Sequence, residues 1–307
     1  MNILVLGGAG FIGFHLVNRL RDLNHVTVVD DLSRGTIKDL FGVRFIWHDL
    51  TDPTGVAAWY AEVMAKEWDQ VYHLAAMVGV PNIEQAPLQT LQVNALAVLH
   101  TLKLKTKKFF LASTSEVYGR PDIIPTLESQ PISIPDILAP RAAYAASKIF
   151  AESLVVNSGL PFVIGRFHNV YGPRMGWDHV IPKYCQQVLE RRVPLMIHNY
   201  GTRRAFCYID DAVDAMILAM QHCENEVVNI GNDEEEIAMV GLMQRISRIG
   251  QHEAQIDETR IPEWIDRRCP DLTKLRARTG YKPLWSLDQG LGETYQWYNT
   301  SHLSAPS

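Results

Sequence analysis

Tyr144 and Lys148 stand four residues apart in the run Tyr-Ala-Ala-Ser-Lys. On a helix that spacing stacks both side chains on one face. An ammonium beside a phenol favours the phenolate and lowers the tyrosine pKa towards neutral pH. Such a phenolate can take a proton from a substrate hydroxyl while hydride leaves for an acceptor, whose ribose Lys148 is placed to bind. Upstream, an apolar run ends in Ser113-Thr114-Ser115-Glu116-Val117-Tyr118-Gly119. A Thr114 or Ser115 hydroxyl at a strand end can hydrogen-bond a reacting oxygen. Glu116 is a candidate acid or base, or simply the start of a helix.

The acceptor has its own signature. Gly7-Gly8-Ala9-Gly10-Phe11-Ile12-Gly13 lies between an apolar run and a helical pattern. Small residues there let the backbone turn tightly and approach a pyrophosphate, and the helix N-terminus offers free N–H groups to it. Asp30, followed by Asp31 and Ser33, closes the next apolar run. A carboxylate at that point accepts hydrogen bonds from ribose hydroxyls and repels a 2′-phosphate, which favours NAD over NADP. Arg34 is the nearby cation that argues the other way.

The elements that must position these groups follow from the apolar pattern. Short apolar runs at 3–6, 26–29, 43–47, 71–74, 109–112 and 162–165 suit strands buried on both faces. Helical segments at 11–23, 54–66, 88–104 and 142–157 separate them. Alternating strand and helix gives the α/β class, with a doubly wound, Rossmann-type parallel sheet. In such a sheet the carboxyl ends of the strands face the binding crevice. The expected organisation is a dinucleotide-binding unit over 1–165 and a smaller substrate-binding unit over 166–307, which is richer in Pro, Arg and aromatic residues. The segment near 205–232, with a strand at 227–230, is expected to rejoin the sheet or flank it. Residues 301–307 read as a frayed tail.

Composition narrows the classes. The chain has 307 residues, 47% hydrophobic and 21% charged, with a formal net charge of −5. That balance suits a globular enzyme and argues against a nucleic-acid-binding protein. Cys185, Cys207, Cys223 and Cys269 contain no CxxC pair, so neither a zinc site nor a disulfide framework is expected. With no signal-peptide pattern and no apolar stretch of about 18 residues, the expected setting is the cytoplasm, away from membranes.

Taken together, the Gly7–Gly13 loop, His73-Leu74-Ala75-Ala76, Ser-Thr-Ser-Glu-Val-Tyr-Gly, Tyr-x-x-x-Lys and Arg166-Phe-His-Asn169-Val-Tyr-Gly172-Pro173 resemble the extended short-chain dehydrogenase/reductase family. Within it they are most similar to the NAD-dependent nucleotide-sugar epimerases, dehydratases and decarboxylases, over about residues 1–295. The resemblance implies that Gly7, Gly10, Phe11, Ile12 and Gly13 form the cofactor loop and that Asp30 binds ribose. It sets Asp49 and Leu50 beside adenine and Leu74, Ala75 and Ala76 under the cofactor. Asn94 counts with the cofactor site as a structural asparagine. Thr114, Tyr144 and Lys148 are the implied catalytic set. Asn169, Arg204 and Arg268 are implied to hold the nucleotide diphosphate, Arg203 being equally readable as a surface charge. His179 and Val180 are assigned to the sugar site. The resemblance also implies a homodimer formed through the helices at 88–104 and 142–157.

The implied reaction starts with oxidation of the sugar's fourth carbon by NAD. Re-reduction after rotation is epimerisation, loss of water is dehydration, and loss of a carboxylate is decarboxylation. Dehydratases carry Thr-Asp-Glu where this chain has Thr114-Ser115-Glu116. UDP-glucuronate decarboxylases carry Thr-Ser-Glu, as here. However, Met77-Val-Gly-Val-Pro81 is closer to UDP-uronate 4-epimerases, and Tyr-Ala-Ala-Ser-Lys departs from the decarboxylases' Tyr-Asp-Glu-Gly-Lys. The expectation leans to epimerisation of a UDP-sugar, with decarboxylation or 4,6-dehydration as alternatives. A net keto-sugar oxidoreductase and a non-catalytic NAD-binding regulator are the readings from other classes.

Overall fold

A computed structural model describes residues 1–36, 40–54, 59–260 and 266–303. Its centre is a seven-stranded, all-parallel sheet. The strands are β1 (Asn2–Leu6), β2 (His25–Asp30), β3 (Arg44–Trp47), β4 (Gln70–His73), β5 (Phe109–Thr114), β6 (Phe162–Phe167) and β7 (Glu226–Ile230). Their order across the sheet is β7-β6-β5-β4-β1-β2-β3. The chain therefore winds outward one way from β1, then returns beside β1 with β4 and winds the other way. The switch between β1 and β4 opens a crevice at the strand carboxyl ends.

Alternation within the strands explains why both faces are covered. Ile3, Val5, Val28, Phe110 and Val163 enter one apolar cluster, whereas their neighbours Leu4, Leu6, Val29, Leu111 and Ile164 enter the other. A strand buried on both faces must be apolar at every position, which is the pattern of these short runs. The helices over these faces are α1 (Phe11–Leu20), α2 (Val80–Gln85), α3 (Pro87–Thr101), α4 (Ala142–Val156), α5 (Val180–Leu189), α6 (Ile209–His222), α7 (Met239–Ile249), α8 (Thr273–Thr279) and α9 (Leu287–Leu303).

Several boundaries differ from the sequence reading. The first helix stops at Leu20, whose carbonyl accepts from the Asn24 side chain as the chain turns into β2. Of the helix expected at 54–66, residues 55–58 lie outside the described residues, and Trp59–Met64 forms a π-helical turn. The expected tail begins later: α9 continues through Ser301 to Leu303, and residues 304–307 lie outside the described residues. The strand at 226–230 joins the sheet at its edge, paired in parallel with β6.

The second half places small sheets above the crevice. Arg203–Ala205 pairs antiparallel with Glu236–Ala238 and parallel with Arg267–Arg268. Leu195–His198 pairs with Ile256–Thr259. Among the described residues no helix is long and apolar enough to cross a membrane, and no three His, Cys, Asp or Glu side chains gather as a metal cluster.

Candidate active site

A cavity of about 1150 Å³ runs along the strand ends, between the sheet and the small sheets of the second half. At one end lies the glycine loop. Gly7 has φ +81°, and a Cβ there would stand 2.6 Å from the Ala75 nitrogen. A Cβ on Gly13 would stand 2.2 Å from the Gly7 carbonyl oxygen. The loop thus needs glycine for its backbone conformation at Gly7 and for close helix packing at Gly13. Gly10 caps α1 without a side chain, so the first-turn amides of Phe11, Ile12 and Gly13 face the cavity with no intrahelical acceptor. That cradle fits a pyrophosphate.

Asp30 lies beyond it at the end of β2. Its carboxylate accepts from the amides of Ala9 (3.0 Å) and Leu32 (2.8 Å). Burial pushes its pKa up, opposed by those two amides. Asp31 accepts from the amide and hydroxyl of Ser33, and Asp49 from those of Thr51, so both form tight local turns along the same wall. Arg34 donates to the Val78 carbonyl, so its charge is engaged with the loop after β4. Leu50, Leu74, Ala75 and Ala76 line the floor. This wall, with the Asp30 carboxylate anchored by two backbone amides, fits NAD.

Asn94 is a correction. It does not line the cavity; it is 2% exposed inside α3. Its amide oxygen accepts from the Met77 amide at 2.7 Å, and its nitrogen donates to the Met77 carbonyl and the Ser147 hydroxyl. These three bonds tie the strap after β4 to α4, a structural role.

The reactive groups sit midway. Three consecutive residues of β5 hold three residues spaced by one turn on α4. The Ala112 carbonyl accepts from Lys148 Nζ at 2.8 Å, the Ser113 hydroxyl donates to Glu152, and Thr114 hydrogen-bonds the Tyr144 phenol. Tyr144 and Lys148 do share a helix face, with Nζ 5.9 Å from the ring centre. The expected depression of the tyrosine pKa is not found. Burial pushes the phenol up, and the Glu116 carboxylate adds to this, whereas Thr114 and Arg141 pull down. Lys148 is the group that is lowered, to about 8, because burial penalises its charge. Its ammonium donates to the Ala112 carbonyl.

Glu116 is also differently placed from its expected role. Arg141 Nη2 donates to its Oε1 at 2.8 Å, and Arg268 Nη1 lies 3.7 Å from the same oxygen. Burial is the largest single influence and raises its pKa, but the two guanidinium charges together outweigh it and leave the carboxyl below its usual value. A carboxylate so paired is a fixed charge. Ser115, 6% exposed, lies beside it in the same 3-10 turn.

The remaining assigned residues also line the cavity: Asn169, His179, Val180, Arg204 and Arg268. Asn169 has φ +40° and donates to the Ala205 carbonyl at 3.0 Å. Arg204 is braced by the carbonyls of Arg203 and Asp266. Arg203 turns away to Glu236 at 3.4 Å and is not part of the lining. His179, at the head of α5, is pushed down in pKa by burial and by Arg34. Sequence reasoning missed Arg141, Arg174, Lys183, Phe206 and Met239 in the lining. Arg141 had a legible signal, being one residue short of a helical turn before Tyr144.

Comparison with known proteins agrees with this geometry. Residues 3–231 match the model of the NAD dependent epimerase/dehydratase family. The chain is 32% identical to UDP-glucuronic acid decarboxylase 1 of Danio rerio, across 97% of this chain and 72% of that protein. It is 32% identical to UDP-N-acetyl-alpha-D-glucosaminuronate decarboxylase of Bacillus cytotoxicus, across 96% and 97%. Among solved structures, UDP-glucose 4-epimerase of Thermotoga maritima with UDP-glucose superposes with a TM-score of 0.85 at 28% identity, covering 98% of this chain and 100% of that one. A variant of UDP-glucuronic acid 4-epimerase of Bacillus cereus, in complex with a fluorinated UDP-glucuronic acid and NAD, gives 0.83 at 27% identity, covering 98% and 100%.

Proposed function

Because the chain belongs to the NAD dependent epimerase/dehydratase family, we propose that it acts on a UDP-hexuronate, oxidising the sugar transiently at its fourth carbon and releasing the sugar carboxylate as carbon dioxide. The observation that carries this reading is the pairing of Arg141 and Arg268 with the single carboxylate of Glu116 beside Tyr144. Two guanidiniums over one carboxylate leave a net positive charge at the reacting end of the cavity, suited to an anionic sugar. Arg268, 3.7 Å from Glu116, lines the cavity beside Tyr144 and Thr114, within the region where the substrate carboxylate is proposed to lie.

NAD held by the glycine loop and the Asp30 wall would supply reversible hydride acceptance. The protein's residues supply the rest. The Tyr144 phenolate, favoured by the Thr114 hydrogen bond and by Arg141 against the opposing effect of burial, removes the hydroxyl proton as the ketone forms. The new ketone is β to the carboxylate, so the carbon–carbon bonding pair can flow into it as carbon dioxide leaves. Glu116, a fixed negative charge, destabilises the departing carboxylate and not the neutral product. A proton from solvent then adds to the fifth carbon in place of the lost carboxylate, and Tyr144 returns its own proton to the fourth-carbon oxygen as the ketone is reduced again. Ser115 stands where dehydratases carry an aspartate, which argues against water loss by this site. The likeness to the decarboxylases named above supports the assignment.

A second reading, epimerisation, is supported by the Met77–Pro81 strap and by the structural likeness to UDP-glucuronic acid 4-epimerase. An NMR time course with NAD and UDP-glucuronate tests both. A UDP-pentose with carbon dioxide is expected; a second UDP-hexuronate with its carboxylate retained would overturn decarboxylation in favour of epimerisation. In this reading residues 1–165 with β7 carry NAD, and most of 166–307 carries the nucleotide sugar. The reading includes a homodimer. α3 packs on α4, and Leu88, Leu96 and Leu99 on the one and Phe150 and Val156 on the other remain exposed. Apolar side chains gathered on paired helices suit a second copy. Light scattering should give twice the chain mass.

A further inference from the structure

Asn229 stands on the edge strand β7, in register with Arg166 of β6. It is fully buried, does not line the cavity, and the mechanism above leaves it unused. Its side-chain nitrogen donates to two backbone carbonyls, those of Thr126 at 2.8 Å and Asp271 at 3.2 Å. A carbonyl only accepts, so this end of the amide must be the NH2. The amide oxygen therefore faces the other way, where it accepts from the Tyr118 hydroxyl at 2.7 Å and from His168 Nε2 at 3.1 Å. That fixes His168 as the Nε2–H tautomer, and burial pushes its pKa down to about 3, so the ring is neutral. Two donated and two accepted bonds are all that an amide side chain makes. The backbone N–H of Asn229 is held as well, by the Glu128 carboxylate at 2.8 Å.

Each side-chain partner sits beside a group of the site. Tyr118 closes the 3-10 turn that carries Ser115 and Glu116, and His168 directly precedes Asn169. Thr126 and Asp271 belong to two bridged segments. The Thr126 amide donates to the Cys269 carbonyl and the Asp271 amide to the Thr126 carbonyl, both at 2.9 Å, just beyond Arg268. Glu116, Asn169 and Arg268 line the cavity, whereas Tyr118, Thr126, His168 and Asp271 do not. Arg268 ends a strand of two residues, too short to fix its own place. We propose that Asn229 is a positioning residue, whose one amide holds the Arg268 segment in register with the Glu116 turn and with Asn169. Three groups from distant parts of the chain are thereby set against one substrate. For its effect on turnover the inference rests on the assignment of Arg268 to the sugar carboxylate.

The test uses Asn229→Asp in the full chain with NAD bound. This change keeps the size of the side chain and its two accepted bonds, but sets an oxygen against the two carbonyls. By NMR hydrogen exchange, the amides of Thr126 and Asp271 should exchange at least about tenfold faster, with those of β5 unchanged. KM for UDP-glucuronate should rise about tenfold, with kcat within about threefold. Made in Arg268→Gln, the same change should cost less than about twofold more, because the group it positions is already gone. Tyr118→Phe keeps the ring and removes one bond to the amide oxygen, and it decides the matter if Asn229→Asp does not fold. It should speed the same two amides about threefold, and raise KM only where Arg268 is present. Wild-type exchange at both amides, or an equal rise in KM with and without Arg268, overturns the proposal. If the hexuronate assignment is wrong, the wild type itself fails to turn over UDP-glucuronate, and the exchange of the two amides still decides.

Discussion

The Glu116 carboxylate meets the Arg141 guanidinium at 2.8 Å, tying the turn that follows β5 to the head of α4. The two residues come from segments that the sequence separates widely, and their pairing decides both a charge and a position. It keeps Glu116 ionised next to Tyr144, and it leaves Arg268 the looser partner at the reacting end of the cavity.

Removing that pairing should expose the specificity of the site. Arg141→Gln is expected to raise KM for UDP-glucuronate about 10-fold, because Arg268 is then drawn onto Glu116 and the net positive charge at the reacting end falls by one. Binding of uncharged UDP-glucose and the NAD content of the purified protein should change little. Equal losses for the charged and the neutral sugar would remove the argument for a hexuronate.

The same pair sets an acid limit on stability. Glu116 is held below the ordinary glutamate value of 4.5 in the folded protein by Arg268 and Arg141, against the opposing effect of burial. A carboxyl depressed on folding contributes stability that is complete above the unfolded value and is lost as pH falls through the folded one. Melting temperatures recorded from pH 7 down to pH 3 should therefore fall below about pH 4.5. The part of that fall due to Glu116 should shrink in Arg141→Gln; an identical pH dependence in both proteins would contradict the pairing.

Tyr144→Phe tests the proton transfer. The phenol oxygen is bonded to Thr114, and in the proposed reaction it exchanges a proton with the sugar hydroxyl. Turnover should fall about 10²- to 10⁴-fold. NAD content and melting temperature should stay near wild type, since the ring that fills the site is unchanged. Retained turnover would return the chain to the class of non-catalytic binders.

Gly13→Ala probes the cradle by volume. Its Cβ would lie 2.2 Å from the Gly7 carbonyl oxygen and 2.7 Å from the Gly8 Cα, both backbone atoms that cannot swing aside. The loop must shift, at a cost of about 1–3 kcal/mol, and its amides move off the pyrophosphate. Purified Gly13→Ala should carry little NAD and melt several degrees lower. Full NAD occupancy, measured by absorbance after denaturation, would show that the cradle lies elsewhere.

The sequence alone determined the sheet and the identity of the reactive groups, because both are written in local signals. Buried parallel strands must be apolar at successive positions, so 3–6, 109–112 and 162–165 could be read without partners. Gly7, Gly10 and Gly13 are explained by backbone geometry within one turn, and Tyr144 and Lys148 by helical periodicity. What only the tertiary structure decided is how charges meet across segments. No local pattern shows that Lys148 donates to the Ala112 carbonyl, that burial raises Tyr144, or that Asn94 faces Met77 and Ser147 and not the cavity. Nor does the sequence show Arg141 and Arg268 converging on Glu116. Electrostatic pairing depends on distance in space and on depth from solvent, and neither is a property of spacing along the chain.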